Sequence, residues 1–123
     1  MNEIKRDELK QLIDSRQTIG ENSAILLVDV RESMEVQTYG SIPTSINIPM
    51  NDVDKELSLT PDAFKQKYGK TLSKDKKIIF YCRSGTRAEF NAKQALDKGY
   101  VNATVYKGSA LDWAEIDFNV KKY

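Results

Sequence analysis

The sequence predicts an α/β fold, with one domain over residues 1–123, a mostly parallel central sheet of four to five strands, and helices on both faces. First, 123 residues with 40% hydrophobic and 30% charged side chains are typical of one ordinary globular domain. Second, residues 24–30 and 77–81 are almost continuously apolar, as strands buried on both faces of a parallel sheet are. Third, segments with helical spacing of apolar residues separate the strands, which indicates βαβ units.

The first half of the chain begins with a surface helix, predicted over residues 6–15 by apolar residues three to four apart on a charged background. After the strand at 24–30, we predict a short helix over 33–39. A short strand over 45–48 follows and is ended by Pro49, since proline lacks the main-chain N–H that a strand donates.

Two helical segments are predicted between residues 51 and 69. Asn51 can cap a single helical turn, while Thr60 and Pro61 provide an N-cap and a first helical position for the next helix. That helix should end at Gly69.

The second half repeats the alternation. After the strand at 77–81, we predict a helix that ends at Gly99, then a strand over 103–106 and a closing helix over 110–118. One face of the first of these helices carries Ala88, Ala92, Ala95 and Leu96. In the closing helix, Trp113 is interpreted as a core residue, with a place in a pocket wall as the alternative.

Two absences exclude several kinds of catalytic and metal site. The chain has no histidine, which excludes Ser-His-Asp and Cys-His catalysis and histidine-ligated metals. It has one cysteine, Cys82, which excludes an intrachain disulfide, a Cys-x-x-Cys pair and a cysteine-rich zinc site. We therefore expect neither a metal nor another cofactor.

Charge and hydropathy indicate the compartment and partners. Nineteen basic and 18 acidic residues give a net charge of +1, which does not favour binding to nucleic acid or a membrane surface. The N-terminal segment lacks the apolar run of a signal peptide, and no stretch has the roughly 18 apolar residues of a membrane span. We expect a cytoplasmic protein whose thiol stays reduced.

Cys82 is the candidate nucleophile. It directly follows the strand at 77–81, so we expect it at the carboxyl edge of the sheet, beside the start of the next helix. The positive end of that helix, converging loop amides, and the charges of Arg83 and Arg87 all favour the thiolate. Gly85 allows the tight turn that wraps an anion. The alternative is an inert buried thiol, but two arginines and a glycine serve no purpose around one.

The loop Cys82-Arg83-Ser84-Gly85-Thr86-Arg87 resembles the six-residue active-site loop of the rhodanese-like sulfurtransferase family. Residues 26–32, followed by 40–49, resemble the upstream signature of that family, and residues 108–113 resemble its closing segment. The chain departs from the family at Ser41-Ile42-Pro43-Thr44-Ser45, which lies away from the loop and bears on the entrance to the site and on the substrate.

The resemblance implies a double displacement through a Cys82 persulfide. Cys82 would take sulfur from a small anionic donor such as thiosulfate, and cyanide, a small thiol or a partner protein's thiol would accept it. The amides of residues 83 to 87 would cradle the persulfide, and Arg83 and Arg87 would attract the donor, with Arg87 also able to hold the loop. Asp29 and Arg31 end a neighbouring strand, and we interpret them as a structural ion pair that supports the loops, with a direct catalytic role as the alternative.

Two other functions remain open. The Cys-x4-Arg spacing is one residue shorter than the Cys-x5-Arg loop of cysteine phosphatases, so a phosphatase or arsenate reductase of the related fold is one alternative. A non-catalytic rhodanese-like binding module is the other, and the presence of Cys82 counts against it.

Overall fold

A computed structural model describes residues 2–123 and contains one sheet of five parallel strands, which confirms the predicted fold class. The strands are β1 (Asn2–Ile4), β2 (Ile25–Asp29), β3 (Ile46–Asn47), β4 (Lys77–Tyr81) and β5 (Ala103–Tyr106). Their order in the sheet is β1-β5-β4-β2-β3, so that β4 lies in the centre with β2 and β5 on either side. The carboxyl ends of these three strands therefore lie next to one another at one sheet edge.

The helices occupy the segments between the strands. They are α1 (Arg6–Asp14), α2 (Ser33–Tyr39), α3 (Val53–Glu56), α4 (Pro61–Tyr68), α5 (Thr86–Asp97) and α6 (Ser109–Trp113), with a 3-10 turn at Met50–Asp52. The predicted cap of α4 is confirmed, because the Ala63 N–H donates to Thr60 Oγ1 at 3.2 Å and Gly69 is left-handed at the other end. None of the helices within residues 2–123 is long and apolar enough to cross a lipid bilayer.

Both faces of the sheet are covered. Along the central strand β4, Ile78 and Phe80 pack with the apolar cluster that includes α3, α4 and α5, whereas Ile79 and Tyr81 pack with the cluster that includes α1 and α6. The side chains of a strand alternate between its two faces, so a strand covered on both sides must be apolar throughout. This explains the unbroken apolar runs in the sequence.

Two elements differ from the sequence-based expectations. The strand β1 was not predicted, because Asn2 and Glu3 are polar and exposed. Its main-chain pairing with β5, and not an apolar composition, places it in the sheet. The closing helix ends at Trp113 and does not reach residue 118. The Asp117 carboxylate accepts from Trp113 Nε1 at 3.0 Å and from the Asn119 N–H at 2.9 Å, and such side-chain bonds compete with continued helix.

Candidate active site

Cys82 lies at the carboxyl end of β4, between that strand and the start of α5. The residue is 1% exposed and belongs to the apolar cluster on one face of the sheet. The sulfur nevertheless has a polar partner, because the Gly85 main-chain N–H donates to Cys82 Sγ at 3.0 Å. Since Gly85 is the N-cap of α5, the positive end of the helix is directed at the sulfur.

Only glycine fits at position 85. Its φ of +106° lies in the region that side chains disfavour, and an added Cβ would stand 2.6 Å from the main-chain oxygen of Lys107. The close approach of these two main-chain segments holds the loop in the conformation that directs the Gly85 amide at Cys82.

Ser109 is a site residue that the sequence reasoning missed. Its Oγ accepts a hydrogen bond from the Cys82 main-chain N–H at 3.1 Å and donates to the Tyr106 carbonyl at 2.9 Å. The same oxygen lies 4.0 Å from Cys82 Sγ, so its one proton is committed to Tyr106. The signal in the sequence was the resemblance of residues 108–113 to a family segment, which carried no assigned role for the serine.

The start of α6 also holds the loop through its main chain. The Ala110 N–H donates to the Cys82 carbonyl at 2.9 Å, and the Leu111 N–H donates to the Arg83 carbonyl at 3.1 Å. Ser109 itself has a positive φ of 58°, a strained conformation for a residue with a side chain. Tertiary contacts across the sheet edge therefore fix the first two residues of the loop.

Arg87 forms a two-pronged ion pair with Glu35 of α2. The distances are 2.6 Å from Nη1 to Oε1 and 3.1 Å from Nη2 to Oε2. The hydrogen bond from Arg87 lowers the pKa of Glu35 to about 2, although partial burial opposes the shift. Glu35 also accepts from the Glu32 N–H at 3.0 Å, so the pair links the starts of α2 and α5.

Arg83 has different surroundings. Within residues 2–123 no carboxylate forms an ion pair with it, and its buried Nε has no hydrogen-bond partner there. Its guanidinium carbon lies 4.6 Å from the centre of the Tyr123 ring. The two arginines of the loop are therefore unequal, since Arg87 is neutralised by a carboxylate and Arg83 is not.

Asp29 and Arg31 form a fully buried ion pair after β2, the arrangement that the structural interpretation predicts. Arg31 Nη2 lies 2.7 Å from Asp29 Oδ2 and also donates to the Gly40 carbonyl at 2.7 Å. Burial alone would lower the pKa of Arg31, but the hydrogen bond and charge of Asp29 outweigh it and raise the pKa. The pair ties the end of β2 to the segment that follows α2.

Ser84, Thr86 and the segment 41–45 complete the set of predicted residues. Ser84 and Thr86 are exposed and line a cavity of about 330 Å³ on the outer side of the loop. The segment Ser41-Ile42-Pro43-Thr44-Ser45 is bonded to Tyr81, whose Oη accepts from the Ile42 N–H at 2.9 Å and lies 3.0 Å from Ser45 Oγ. Tyr81 packs on the sheet face opposite to that of Cys82, so these contacts lie away from the sulfur.

The chain is similar to known proteins in both sequence and fold. The profile of the rhodanese-like domain matches residues 5–116. A rhodanese domain-containing protein of Drosophila melanogaster, CG4456, is 48% identical over 92 residues, which are 74% of this chain and 83% of the relative. The mitochondrial thiosulfate sulfurtransferase RDL2 of Saccharomyces cerevisiae is 37% identical over 109 residues, 87% of this chain and 68% of the relative. The structure of the human single-domain sulfurtransferase TSTD1 superposes with a TM-score of 0.82 and 27% identity, covering 95% of this chain and 98% of that one.

Proposed function

Because the chain belongs to the rhodanese-like domain family, we propose that it is a sulfurtransferase in which Cys82 carries the sulfur. The donor is a small anion with a sulfane sulfur, such as thiosulfate, the substrate in the name of the yeast relative. The observation that carries the proposal is the Gly85 N–H, which lies 3.0 Å from Cys82 Sγ at the start of α5. This main-chain N–H stabilises an anionic sulfur by a hydrogen bond, so no imidazole is needed.

The transfer has two displacement steps. In the first, the Cys82 thiolate attacks the outer sulfur of thiosulfate, a new S–S bond forms, and the old S–S bond breaks. Sulfite leaves with the electron pair of the broken bond, and Cys82 becomes a persulfide. In the second step, cyanide or a thiolate attacks the outer persulfide sulfur, and the Cys82 thiolate leaves unchanged.

The acceptor must come from outside the chain. Cys82 is the only cysteine of the sequence, so the persulfide has no second thiol with which to form an internal disulfide. A small thiol, cyanide or the thiol of a partner protein can take the sulfur, and the reaction needs no metal or other cofactor. Neither nucleic acid nor a membrane is part of the proposal, and the net charge of +1 fits that view.

The two loop arginines have separate roles in this proposal. Arg83 supplies the positive charge that attracts the donor, because no carboxylate in residues 2–123 neutralises it. Arg87 acts as a positioning residue that fixes the loop through Glu35. Asp29 and Arg31 support the same edge of the sheet from the neighbouring strand.

The cytoplasm remains our proposed compartment, based on the sequence. The yeast relative RDL2 is a mitochondrial protein by name, so the mitochondrion is the alternative compartment. Imaging the tagged full chain in its own cell decides between them, and a mitochondrial signal would overturn the cytoplasmic proposal.

The test compares sulfur and phosphate chemistry in one preparation. After incubation with thiosulfate, the intact mass should rise by one sulfur atom, and the Cys82→Ser variant should show no change. Sulfite release should accompany the first turnover, whereas an aryl phosphate should stay intact. Hydrolysis of the phosphate without sulfur uptake would favour a phosphatase, and no reaction with either would favour a binding module.

A further inference from the structure

The side chain of Tyr123 contacts Arg83 and the carboxylate of the Glu35–Arg87 ion pair. Its ring stacks on Tyr39, with centroids 3.7 Å apart and planes at 11°, and also lies against the Arg83 guanidinium at 4.6 Å. Its hydroxyl donates to Glu35, the carboxylate that pairs with Arg87. One residue thus touches the free guanidinium of the loop and the ion pair that holds the loop.

The segment that leads to Tyr123 is fastened to the end of α2. Val120 is buried, and the Lys121 N–H donates to the Tyr39 carbonyl at 2.7 Å. Gly40 permits this path, because a Cβ there would stand 1.9 Å from the main-chain oxygen of Asn119. The main chain up to residue 121 is therefore fixed, whereas the Tyr123 side chain is held by its ring and hydroxyl contacts.

One of those contacts involves a group that the substrate would use. The ring faces the guanidinium that no carboxylate neutralises, the group with which a donor anion would pair. Cys82 Sγ, next in the chain to Arg83, is almost fully covered, with 1% of the residue exposed. A ring over one face of this guanidinium narrows the directions from which an anion or a bulky reagent can approach Arg83 and the loop beside it.

We propose that Tyr123 is a specificity-determining residue, a hinged cover over the Cys82 loop that admits small reagents and excludes bulky ones. In the closed position the Tyr123 ring lies on the Arg83 guanidinium. In the open position the ring has moved away, and an anion can bind Arg83. The consequence for sulfur acceptors rests on the proposed function, whereas the covering of Cys82 does not.

Three variants separate the contributions. Tyr123→Ala removes the ring and hydroxyl, and Tyr123→Phe keeps the ring but removes the bond to Glu35. Phe118→Ala is the matched control, because Phe118 is a fully exposed aromatic residue of the same segment. None of the three changes removes a buried side chain, so each variant is expected to fold.

The first measurement is the rate of Cys82 labelling by iodoacetamide and by a bulky aryl maleimide. Tyr123→Ala should raise the ratio of maleimide to iodoacetamide rates about tenfold, since ring contacts of this strength bias an open–closed equilibrium by about that factor. Tyr123→Phe should show a smaller rise, and Phe118→Ala none. General loosening of the fold would accelerate both reagents together, so an unchanged ratio in Tyr123→Ala overturns the proposal.

The second measurement is sulfur transfer from thiosulfate to cyanide and to a bulky aryl thiol. Tyr123→Ala should raise the ratio of aryl-thiol to cyanide turnover, and an unchanged or lower ratio counts against Tyr123 as a determinant of specificity. If the wild-type chain takes no sulfur from thiosulfate, the proposed function fails, while the labelling ratio still decides whether Tyr123 covers Cys82.

Discussion

Replacing Ser109 with alanine is expected to destabilise the protein by about 2 kcal/mol, although the change removes a single non-hydrogen atom. The Ser109 oxygen accepts from the Cys82 N–H at 3.1 Å and donates to the Tyr106 carbonyl at 2.9 Å, and all three residues are buried. A buried main-chain donor left without a partner costs about 1–3 kcal/mol, because water cannot replace the lost bond. The positive φ of 58° at Ser109 contributes nothing to this difference, since serine and alanine both carry a Cβ.

Glycine at the same position gives a sharper test. Ser109→Gly loses the same two hydrogen bonds, but it relieves the strain of the positive φ, which is about 1–2 kcal/mol for a residue with a Cβ. The greater freedom of glycine in the unfolded chain offsets about 0.5–1 kcal/mol of that gain. The Ser109→Gly variant should therefore be about 0.5–1 kcal/mol more stable than Ser109→Ala, the reverse of the usual order in helices.

Urea unfolding of the wild type and both variants, followed by circular dichroism, measures these differences. Ser58→Ala is the control, because Ser58 is exposed and its loss should change stability by less than about 0.5 kcal/mol. If Ser109→Ala unfolds with the wild type, its hydroxyl does not hold the Cys82 loop. If Ser109→Gly is the less stable variant, the backbone at this position is not strained.

Three further predictions concern charge and backbone at the same edge of the sheet. The pKa of Glu35, lowered by Arg87 to about 2, means that the pair stabilises the fold fully above about pH 4.5 and loses this contribution as pH falls towards 2. Acid titration of unfolding should therefore be flatter over that range in Glu35→Gln. Asp29→Ala leaves Arg31 buried without its partner and should cost about 3–5 kcal/mol by urea unfolding. Gly85→Ala should cost at least about 1–3 kcal/mol, because its φ is +106° and the added Cβ also meets the Lys107 main-chain oxygen, and it should slow iodoacetamide labelling of the thiol.

Each of these predictions has an outcome that would contradict it. Identical acid unfolding of the wild type and Glu35→Gln would mean that the ion pair with Arg87 does not persist in solution. A loss below about 1 kcal/mol in Asp29→Ala would show that the guanidinium finds water or another partner. Unchanged labelling in Gly85→Ala would show that the amide at this position does not assist the reaction of Cys82.

The sequence predicted the sheet well because its central strands are covered on both faces. Strands β2 and β4 are therefore apolar except at one end of each, Asp29 and Lys77, and such runs are visible without knowledge of their neighbours. The strand β1 has no such run, since one of its three residues is buried and its order comes from pairing with β5. The end of α6 was missed for a similar reason, because a contact between Trp113 and Asp117 decides it.

In the candidate site, too, the groups close in sequence were predictable and the distant ones were not. Cys82, Gly85 and the start of α5 are contiguous, so the direction of the Gly85 amide follows from a strand, a tight turn and a helix in succession. Ser109 comes from 27 residues further along the chain, and Glu35 from 52 residues before Arg87. Local patterns carry no information about such partners, so the sequence predicted Cys82 and its neighbours in the loop but neither Ser109 nor Glu35.

These distant partners change the electrostatic account of the site. Two arginines in the loop suggested two positive charges for a donor anion, but Glu35 neutralises Arg87, and Asp29 neutralises Arg31 on the neighbouring strand. In residues 2–123, the hydrogen-bonding groups near Cys82 Sγ are the Gly85 N–H and the Ser109 hydroxyl, and both are uncharged. The main-chain dipoles at the start of α5 are therefore the nearest source of positive potential for the sulfur. Arg83 is therefore the one arginine of the loop that no carboxylate in residues 2–123 neutralises, and in the proposed transfer whatever controls access to Arg83 controls the binding of the donor.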